Sequence, residues 1–508
     1  MLKTLRLYVP FQNITLYTFQ IMRLLRKGRI LNPFLATHPR RQITHSPITN
    51  ELERLLVFAF GCGSHGVLGQ GQLITNDEYE PVQVHGLPPD IIGVGCGAYH
   101  SLAWSSDGQL FSWGRNKELQ LGRPLAAQEV AYAAVTPSPV PVLNAPHHPY
   151  EIAYATGSGV ATFAIDKRQG QLLVCGTSKR GQLGLGADVA QVPTLTPIPH
   201  LTQRGGHVTS VSAGWGHAVA VVEDGTDTRV YSWGWPANGR LGHSFAESED
   251  DESEEALYRR CVREPREIEM LRGVKISSVT CGMDSTYFIT QDGRLLSLGD
   301  NSLGQLGRTQ DAEKERRDPG AWEVHVGRES NAAKDVKFKR VGAGLGHVVA
   351  TTVGGNVLSF GWNTAAQLGL GEPGEDAETV YQPTFIFGVS NCRTAKVAAG
   401  RTHSVLINDD IVHEKSTMPT AFGLSWPCLT MCHTWGSAAN GRLGTGTYED
   451  APFPELLPSL DGELLLDVAC GMDHTLVLVG HNAHSGGPLT GRSSSAAGAG
   501  DGGGEVVS

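Results

Sequence analysis

The segment WGRNKELQLG at residues 113–122 decides the fold, because six further copies of its pattern occur along the chain. In every copy an apolar residue precedes a Gly, and a Leu-Gly pair places a second Gly eight residues after the first. The other copies are FGCGSHGVLG (60–69), CGTSKRGQLG (175–184), WGWPANGRLG (233–242), LGDNSLGQLG (298–307), FGWNTAAQLG (360–369) and WGSAANGRLG (435–444). Seven copies of one unit predict a repeat architecture.

A second element, Gly-x-x-His followed by an apolar strand, alternates with the first. Two of its seven copies are degenerate, GSGVATFAI (157–165) with Val160 in the histidine position and CGMDSTYFI (281–289) with Ser285. Asp-Gly pairs follow several of these strands, and Asp-Gly is a hairpin signal. The five complete copies carry His100, His217, His347, His403 and His474.

The two ends of the array are complementary. Residues 56–60 form a first element without a preceding histidine strand, and residues 468–479 form a histidine strand without a following partner. Short repeated strands bury their apolar faces only against neighbours, in a line or in a ring. Pairing of the two ends would complete one more hairpin and leave no unpaired terminal blade. The sequence therefore predicts an all-β, seven-bladed β-propeller over residues 56–480, closed by pairing of its N- and C-terminal repeat strands.

Both signatures resemble those of the regulator of chromosome condensation repeat family, a group of seven-bladed β-propellers. The resemblance covers about 425 residues, 56–480. It implies the fold but no single activity, because members include a guanine-nucleotide exchange factor for a nuclear small GTPase, a plant ultraviolet-B photoreceptor, organellar proteins tied to RNA processing and many adaptors. No segment matches the exchange factor's inserted β-wedge, so no exchange residues are assigned.

Composition excludes several classes of protein. The 63 glycines and the charged fraction of 18% disfavour a helical bundle or coiled coil. No apolar stretch reaches the ~18 residues of a membrane-spanning helix. The nine cysteines are scattered, which favours a reducing compartment over a disulfide scaffold. Residues 1–50 carry eight Lys or Arg and no acid, so the rest of the chain carries a net charge of −18, and this acidic body has no general attraction for nucleic acid.

The basic N-terminal segment, residues 1–50, is predicted to be an organelle transit peptide or a plain basic arm. Residues 14–28 are predicted to form an amphipathic helix, which is typical of mitochondrial and plastid signals. Its apolar face would consist of Ile14, Tyr17, Ile21, Leu24 and Leu25, and Arg23, Arg26 and Lys27 would lie on the other side. We expect a mitochondrial location, with the plastid as the alternative. A start at Met22 or later would instead leave the protein in the cytoplasm or nucleus. A secretory signal fits less well, because polar residues interrupt the apolar region.

The repeat histidines do not predict a metal centre. Zinc ligands must converge on one atom, whereas these side chains belong to separate blades around a wide channel. We expect each histidine to bond to a loop of its own or the next blade, and the repeat glycines to form tight turns. CLTMCH (428–433) offers Cys428, Cys432 and His433, one ligand short of a structural zinc site. The sequence therefore predicts no cofactor, no metal and no catalytic residue.

Two further sets of residues have structural explanations. Cys96, Cys281 and Cys470 fill the small-residue position before the repeat glycine, which indicates packing. Photoreception would require Trp in the Gly-Trp-Arg-His motif of several successive blades. Only Trp215 occupies that position, its Arg is Gly216, and the other histidine copies carry Tyr99, Leu345, Thr402 and Asp473 before the histidine. Photoreceptor chemistry is therefore not predicted.

The acidic run 247–255 (ESEDDESEE) lies in an insertion at 244–258. Such a run is either a solvated loop or a docking site for a basic partner. Two more insertions, 309–335 and 409–430, are expected to be exposed loops of the kind that bind partners. The tail, 481–508, is rich in Gly, Ser and Ala and is expected to be disordered. The candidate partner-binding residues are Glu247, Glu249, Asp250, Asp251, Glu252, Glu254 and Glu255.

These features together predict a non-enzymatic, monomeric scaffold that binds protein or nucleoprotein partners through its loops. The alternative is a guanine-nucleotide exchange factor that places loop residues near the phosphate and Mg²⁺ site of a small GTPase and stabilises its nucleotide-free form. Direct contact with chromatin or RNA is a third hypothesis. It would require a basic face to form on folding, because the body is acidic.

Overall fold

The computed structural model describes residues 54–72, 76–125, 132–141, 149–202, 205–225, 227–243, 253–309, 322–326, 336–374, 378–389, 396–409 and 430–481. The N-terminal segment 1–50, most of the acidic run, most of the insertions 309–335 and 409–430, and the tail beyond His481 lie outside these residues. No helix among the described residues is long and apolar enough to cross a membrane.

The described residues form 27 strands, one short α-helix, α1 (Glu254–Arg259), and several single turns of 3-10 helix. In chain order the strands are β1 Arg54–Gly61, β2 Glu78–Gln83, β3 Ile91–Cys96, β4 His100–Ser105, β5 Leu110–Arg115, β6 Ala133–Pro139, β7 Ile152–Gly157, β8 Ala161–Asp166, β9 Leu172–Thr177, β10 Gln191–Pro197, β11 His207–Ala213, β12 His217–Asp224, β13 Asp227–Gly234, β14 Val262–Glu267, β15 Ile276–Cys281, β16 Ser285–Thr290, β17 Leu295–Gly299, β18 Phe338–Ala343, β19 His347–Thr352, β20 Val357–Trp362, β21 Thr379–Phe385, β22 Lys396–Ala399, β23 His403–Asp409, β24 Thr430–Gly436, β25 Ala451–Leu456, β26 Leu464–Cys470 and β27 His474–His481.

The strands form seven antiparallel sheets, which are the blades of a propeller. Blades 1, 2 and 3 are β3–β6, β7–β10 and β11–β14, and blades 5 and 6 are β18–β21 and β22–β25. Blade 4 has the three strands β15–β17, and an isolated bridge from Leu296 to Glu323 continues its outer edge. The predicted seven-bladed fold is confirmed.

Blade 7 closes the ring by combining the two ends of the propeller. Its order is β26-β27-β1-β2, so strands from the end of the repeat array pair with strands from its start. The β1–β27 ladder runs without interruption from Arg54 opposite His481 to Gly61 opposite His474. The closure predicted from the phase of the repeat is thus confirmed.

The core lies between neighbouring blades. Trp113, Trp233 and Trp435, each the aromatic residue of its Trp-Gly motif, are completely buried. Each indole Nε1 donates to a loop carbonyl of the preceding blade, such as that of Val67, 2.7 Å from Trp113. A buried tryptophan contributes a large apolar ring to the core, and its one N–H donor needs a hydrogen-bond acceptor there. The Trp-Gly motif therefore joins two blades.

All fourteen motif glycines have positive φ, which explains their fixed spacing. The first glycine of each motif has φ between 99° and 129°, and the second has φ between 67° and 72°. At Gly176 a Cβ atom would lie 2.3 Å from the carbonyl oxygen of Val160, so a side chain would be excluded by space as well as by backbone conformation.

Candidate functional site

Two sets of turns lie together on one face of the propeller. The Gly-x-x-His turns join the first and second strands of the blades, and the loops ending in Leu-Gly follow the third strands. Backbone bonds link the two sets, for example from Arg115 N to Tyr99 O at 2.9 Å and from Trp235 N to Gly216 O at 2.8 Å. We call the surface formed by these turns and loops the turn face.

The five repeat histidines connect neighbouring blades beneath this face. All five are buried, and each Nε2 lies within hydrogen-bond distance of a hydroxyl on the second strand of the next blade. The expected bond to the next blade is present, but the partner is a strand hydroxyl and not a loop. The pairs are His100–Thr162 at 2.7 Å, His217–Thr286 and His347–Ser404 at 2.9 Å, and His403–Thr475 and His474–Ser101 at 3.1 Å.

The hydroxyl partners fix the protonation of the histidines. Thr162 donates to the carbonyl of Gln120 at 2.6 Å, and Ser404 donates to that of Gln367 at 2.9 Å. A hydroxyl has one proton to give, so it accepts from the imidazole Nε2–H. Burial lowers the pKa of His100 to about 3 and that of His347 to about 4. These imidazoles are therefore neutral donors rather than acids, bases or metal ligands.

The sequence carried a signal for these pairs. Blades 2 and 4 lack the histidine, and the hydroxyl position of the blade that follows each of them is apolar, Ala218 in blade 3 and Val348 in blade 5. Histidine and hydroxyl are thus present together or absent together from one blade to the next.

The assignment of Val160 to the histidine position of blade 2 was wrong by one residue. Ala161 lies opposite Gly176, as His100 lies opposite Gly114. Ser158 N also donates to Ala161 O at 2.8 Å, the bond that Gly97 N makes to His100 O. The sequence GSG offered two frames, and Ser158 rather than Gly157 takes the glycine position. Ser285 does lie opposite its motif glycine, Gly299, as predicted.

The residue after the first turn glycine, or after Ser158 in blade 2, lies at the mouth of the central channel, and these seven residues form the channel rim. Six of the seven rim N–H groups donate to the turn of a neighbouring blade, and three of these bonds join two rim residues, including Met472 N to Ala98 O at 3.1 Å and Arg401 N to Met472 O at 2.9 Å. The mouth opens into a cavity of about 170 Å³ lined by all seven blades. Six rim residues belong to that lining, and Arg401 adjoins it through its backbone bond to Met472. The rim consists of Ala98, Gly159, Trp215, Met283, Leu345, Arg401 and Met472.

The rim also corrects the comparison of the tryptophan position. The tryptophan of the Gly-Trp-Arg-His motif follows the turn glycine directly, and Ala98, Leu345, Arg401 and Met472 occupy that position in the other histidine copies. Tyr99, Thr402 and Asp473 lie one residue later, in the position of the motif's arginine. Trp215 remains the one rim tryptophan, so the successive tryptophans of a photoreceptor are not present.

An aromatic row crosses the turn face from blade 7 to blade 3. The ring centroids of His65 and Tyr99 are 5.8 Å apart, and those of Tyr99 and Trp215 are 6.5 Å apart. Trp215 reaches across blade 2 because Gly159 has no side chain, and a Cβ there would lie 3.1 Å from the indole. Arg115 lies 5.4 Å from the Tyr99 ring centroid. The sequence did not predict this row.

Two ion pairs join loops of the turn face to the next blade. Arg240 pairs with Asp284, and Arg442 pairs with Asp473 at 3.2 Å. Burial lowers the pKa of both guanidinium groups, and their carboxylate partners oppose that effect. In other loops a glutamine replaces the arginine, and its Oε1 accepts a loop N–H instead, as Gln305 does from Leu303 at 2.8 Å. Each Arg-Leu-Gly loop is thus matched to a Met-Asp turn.

Only the end of the acidic run lies among the described residues. Glu247, Glu249, Asp250, Asp251 and Glu252 fall outside them. Glu254 and Glu255 begin α1 and are exposed. Glu254 pairs with Arg180 at 2.9 Å, and this guanidinium lies 3.9 Å from the ring centroid of Trp235. The run therefore ends at a loop of the turn face.

The cysteines occupy apolar positions. Burial raises the pKa of Cys281 and of Cys470 to about 12, so these channel-lining thiols stay protonated and unreactive. Cys432 is buried in β24, and His433 Nδ1 lies 3.1 Å from Asn408 Oδ1, while Cys428 is outside the described residues. No group of three metal-binding side chains occurs in the described part of the chain.

The family model of the RCC1-like domain matches residues 56–477. The chain belongs to the RCC1-like domain family. It is 26% identical to the ultraviolet-B receptor UVR8 of Arabidopsis thaliana over 408 residues, 80% of this chain and 78% of the receptor. It is also 26% identical over 371 residues to the secretion-regulating guanine nucleotide exchange factor of Bos taurus, covering 62% of this chain and 73% of that protein.

Solved structures of RCC1-like propellers share the fold. Prp20p of Saccharomyces cerevisiae, described with its binding properties to Gsp1p and histones, superposes with a TM-score of 0.66 at 22% identity, covering 84% of this chain and 92% of that one. Human WBSCR16 superposes with a TM-score of 0.63 at 20% identity, covering 84% and 98%. At these identities the likeness establishes the propeller alone.

Proposed function

We propose that this RCC1-like chain is a non-enzymatic propeller that binds protein partners through its turn face. The observation that carries the proposal is the apolar channel rim. Trp215 is 39% exposed, and Met283, Leu345 and Met472 are half-buried around the same cavity. Contiguous exposed apolar side chains mark binding surfaces in soluble proteins. The neutral, hydrogen-bonded histidines beneath the rim support binding rather than acid–base catalysis.

Affinity purification of the full chain from cells tests this proposal. We expect Trp215→Ala to abolish recovery of a reproducible set of proteins, since it removes the largest exposed anchor. Phe387→Ala is the matched control, because Phe387 is an 83% exposed aromatic residue just beyond the end of β21. Unchanged recovery with Trp215→Ala, or equal loss with both variants, would contradict the proposal.

The second candidate function is guanine-nucleotide exchange on a small GTPase. Its support is the bovine relative named as an exchange factor. Exchange requires no nucleophile or general base, only a surface that favours the nucleotide-free GTPase. A co-purifying GTPase should then release labelled GDP faster when the chain is added, and should bind it best without nucleotide. GDP release at the intrinsic rate would contradict exchange activity and would leave only the scaffold proposal.

We further propose that residues 1–50 direct the protein to an organelle, the mitochondrion first. Their eight basic and no acidic residues support this. A fluorescent protein fused to residues 1–50 should accumulate in mitochondria, and glutamine at Arg23, Arg26, Lys27 and Arg29 should disperse it. Diffuse fluorescence from the unaltered fusion would contradict the proposal.

The acidic run is proposed as a separate docking site for a basic partner. Deletion of 244–252 removes five of its carboxylates and keeps the Glu254–Arg180 pair. We expect this deletion to remove a subset of co-purifying proteins that Trp215→Ala leaves in place. Recovery identical to that of the unaltered chain would identify the run as a solvated loop.

A further inference from the structure

We infer that the turn face binds a partner segment in which an apolar side chain lies beside a carboxylate. The apolar side chain enters the channel mouth, and Arg401 receives the carboxylate. This inference rests on the proposed function and adds the chemistry of the partner.

The channel mouth has the size of one apolar side chain. Its cavity is about 170 Å³, and a volume of about 150 Å³ is large enough for a benzene ring. Trp215, Met283, Leu345 and Met472 supply an apolar rim from four different blades. The backbone bonds between neighbouring rim positions hold the mouth open. An aromatic or aliphatic side chain therefore fits without rearrangement of the blades.

Arg401 is the one charged residue of the rim. Its side chain is 41% exposed, and its Nη2 pairs with Asp473 at 2.7 Å. Its Nε is buried and has no hydrogen-bond partner among the described residues. Asp473 also pairs with the buried Arg442 at 3.2 Å. Two guanidinium groups thus share one carboxylate, which leaves one positive charge at the rim for an incoming acid.

The turns and loops of the turn face are richer in basic side chains than the rest of the propeller. They contain seven basic and four acidic side chains, whereas residues 51–508 as a whole carry −18. Glu254, Asp77 and Asp450 also contact these loops from neighbouring segments, so the attraction for an acid is local to Arg401 and Arg442, which share Asp473. The basic residues are Arg115, Lys117, Lys179, Arg180, Arg240, Arg401 and Arg442, and the acidic ones are Glu118, Asp284, Asp300 and Asp473.

A protein segment fits this surface better than a nucleic acid. Arg115, Arg180 and Arg240 already pair with carboxylates, so few cations remain to follow a phosphate backbone. The apolar rim also has no counterpart in a phosphodiester chain. The surface thus favours a short acidic and apolar peptide segment.

Selection of peptides on the intact protein tests the inference. A library of phage-displayed random heptapeptides is panned against the immobilised full chain, against Arg401→Glu, and against the control Arg272→Glu. Arg272 is an exposed arginine between β14 and β15 that pairs with Glu267 at 2.9 Å. The unaltered chain and the control should select peptides with Leu, Met, Phe or Trp next to Asp or Glu.

Charge reversal at the rim should change the selection. Arg401→Glu should bind those peptides roughly tenfold more weakly or worse, the cost of losing a charge-assisted hydrogen bond, and should select Lys or Arg in place of the acid. Arg401→Ala, which adds no repulsion with Asp473, should lose the acidic preference without gaining a basic one. Thermal melts of each variant establish that the propeller is folded.

The outcomes separate the two proposals. Peptides that are apolar without an acidic preference, and that need Trp215, would overturn the inference and keep the proposed function. Selection of no consensus, or of peptides indifferent to both Trp215 and Arg401, would overturn both. A single-stranded RNA 20-mer that displaces the peptides and needs Arg401 would replace the peptide with a nucleic acid.

Discussion

At the residue scale, the hydroxyl beside each repeat histidine is predicted to stabilise the join between two blades. Ser404→Ala removes the acceptor for His347 Nε2 and one donor to the carbonyl of Gln367, which keeps the indole of Trp435 at 3.0 Å. A buried donor without a partner costs about 1–3 kcal/mol, and urea denaturation should show a loss of this size. Ser302→Ala, an exposed serine bonded to nearby Asp300, is the control. Equal losses in both variants would contradict the role of the hydroxyl.

The neutral histidines also predict a loss of stability in mild acid. A histidine in the unfolded chain has a pKa near 6.5, whereas burial lowers the pKa of His347 to about 4 and that of His217 to about 3 in the fold. The unfolded state therefore binds more protons below about pH 6.5, so stability is complete above that pH and falls as the pH approaches 4. Melting temperatures from pH 7.5 to 4.5 should show this fall. His347→Gln should reduce the fall in melting temperature between pH 7.5 and 4.5. An equal fall in this variant would contradict the neutral, buried state assigned to His347.

At the scale of elements, each Arg-Leu-Gly loop depends on the Met-Asp turn of the next blade. Asp284→Asn should be the more damaging substitution, because it leaves the buried Arg240 guanidinium without its counter-ion, a loss of about 3–5 kcal/mol. Arg240→Gln should cost less, since Asp284 is one-third exposed and glutamine serves this position in other loops. Denaturant unfolding of both single variants measures the asymmetry. Equal costs would indicate that solvent, not the ion pair, stabilises Arg240.

The sequence predicted elements whose causes are local. The paired glycines require positive φ, and the histidine strand follows its own turn, so both patterns can be read within one repeat. The frame of blade 2 was misassigned because Ser158, between Gly157 and Gly159, takes the position of the turn glycine there. Thr162 is positioned by a partner on another blade, His100. The aromatic row could not be predicted, because His65, Tyr99 and Trp215 come from three blades.

At the scale of the whole molecule, ring closure should decide stability. Deletion of residues 54–61 removes β1, which pairs with both β27 and β2 and carries the completely buried Phe60. We expect the melting temperature to fall by many degrees and the unfolding transition to broaden, because blade 7 loses its third strand. Deletion of residues 1–50 keeps β1 intact and is the matched control. A full-sized, sharp transition after removal of 54–61 would contradict the importance of closure.

The shared blade 7 also has a consequence for synthesis on the ribosome. The partner of Arg54 is His481, so β1 emerges more than 400 residues before the strand that will cover its inner edge. At about 5–20 residues per second, this interval lasts roughly 20–90 s. Throughout that time a strand with an open edge and apolar side chains, such as Phe58 and Phe60, is available for wrong pairing. β1 is thus made early and sheltered last, and a chaperone that holds this stretch would raise the yield of closed rings.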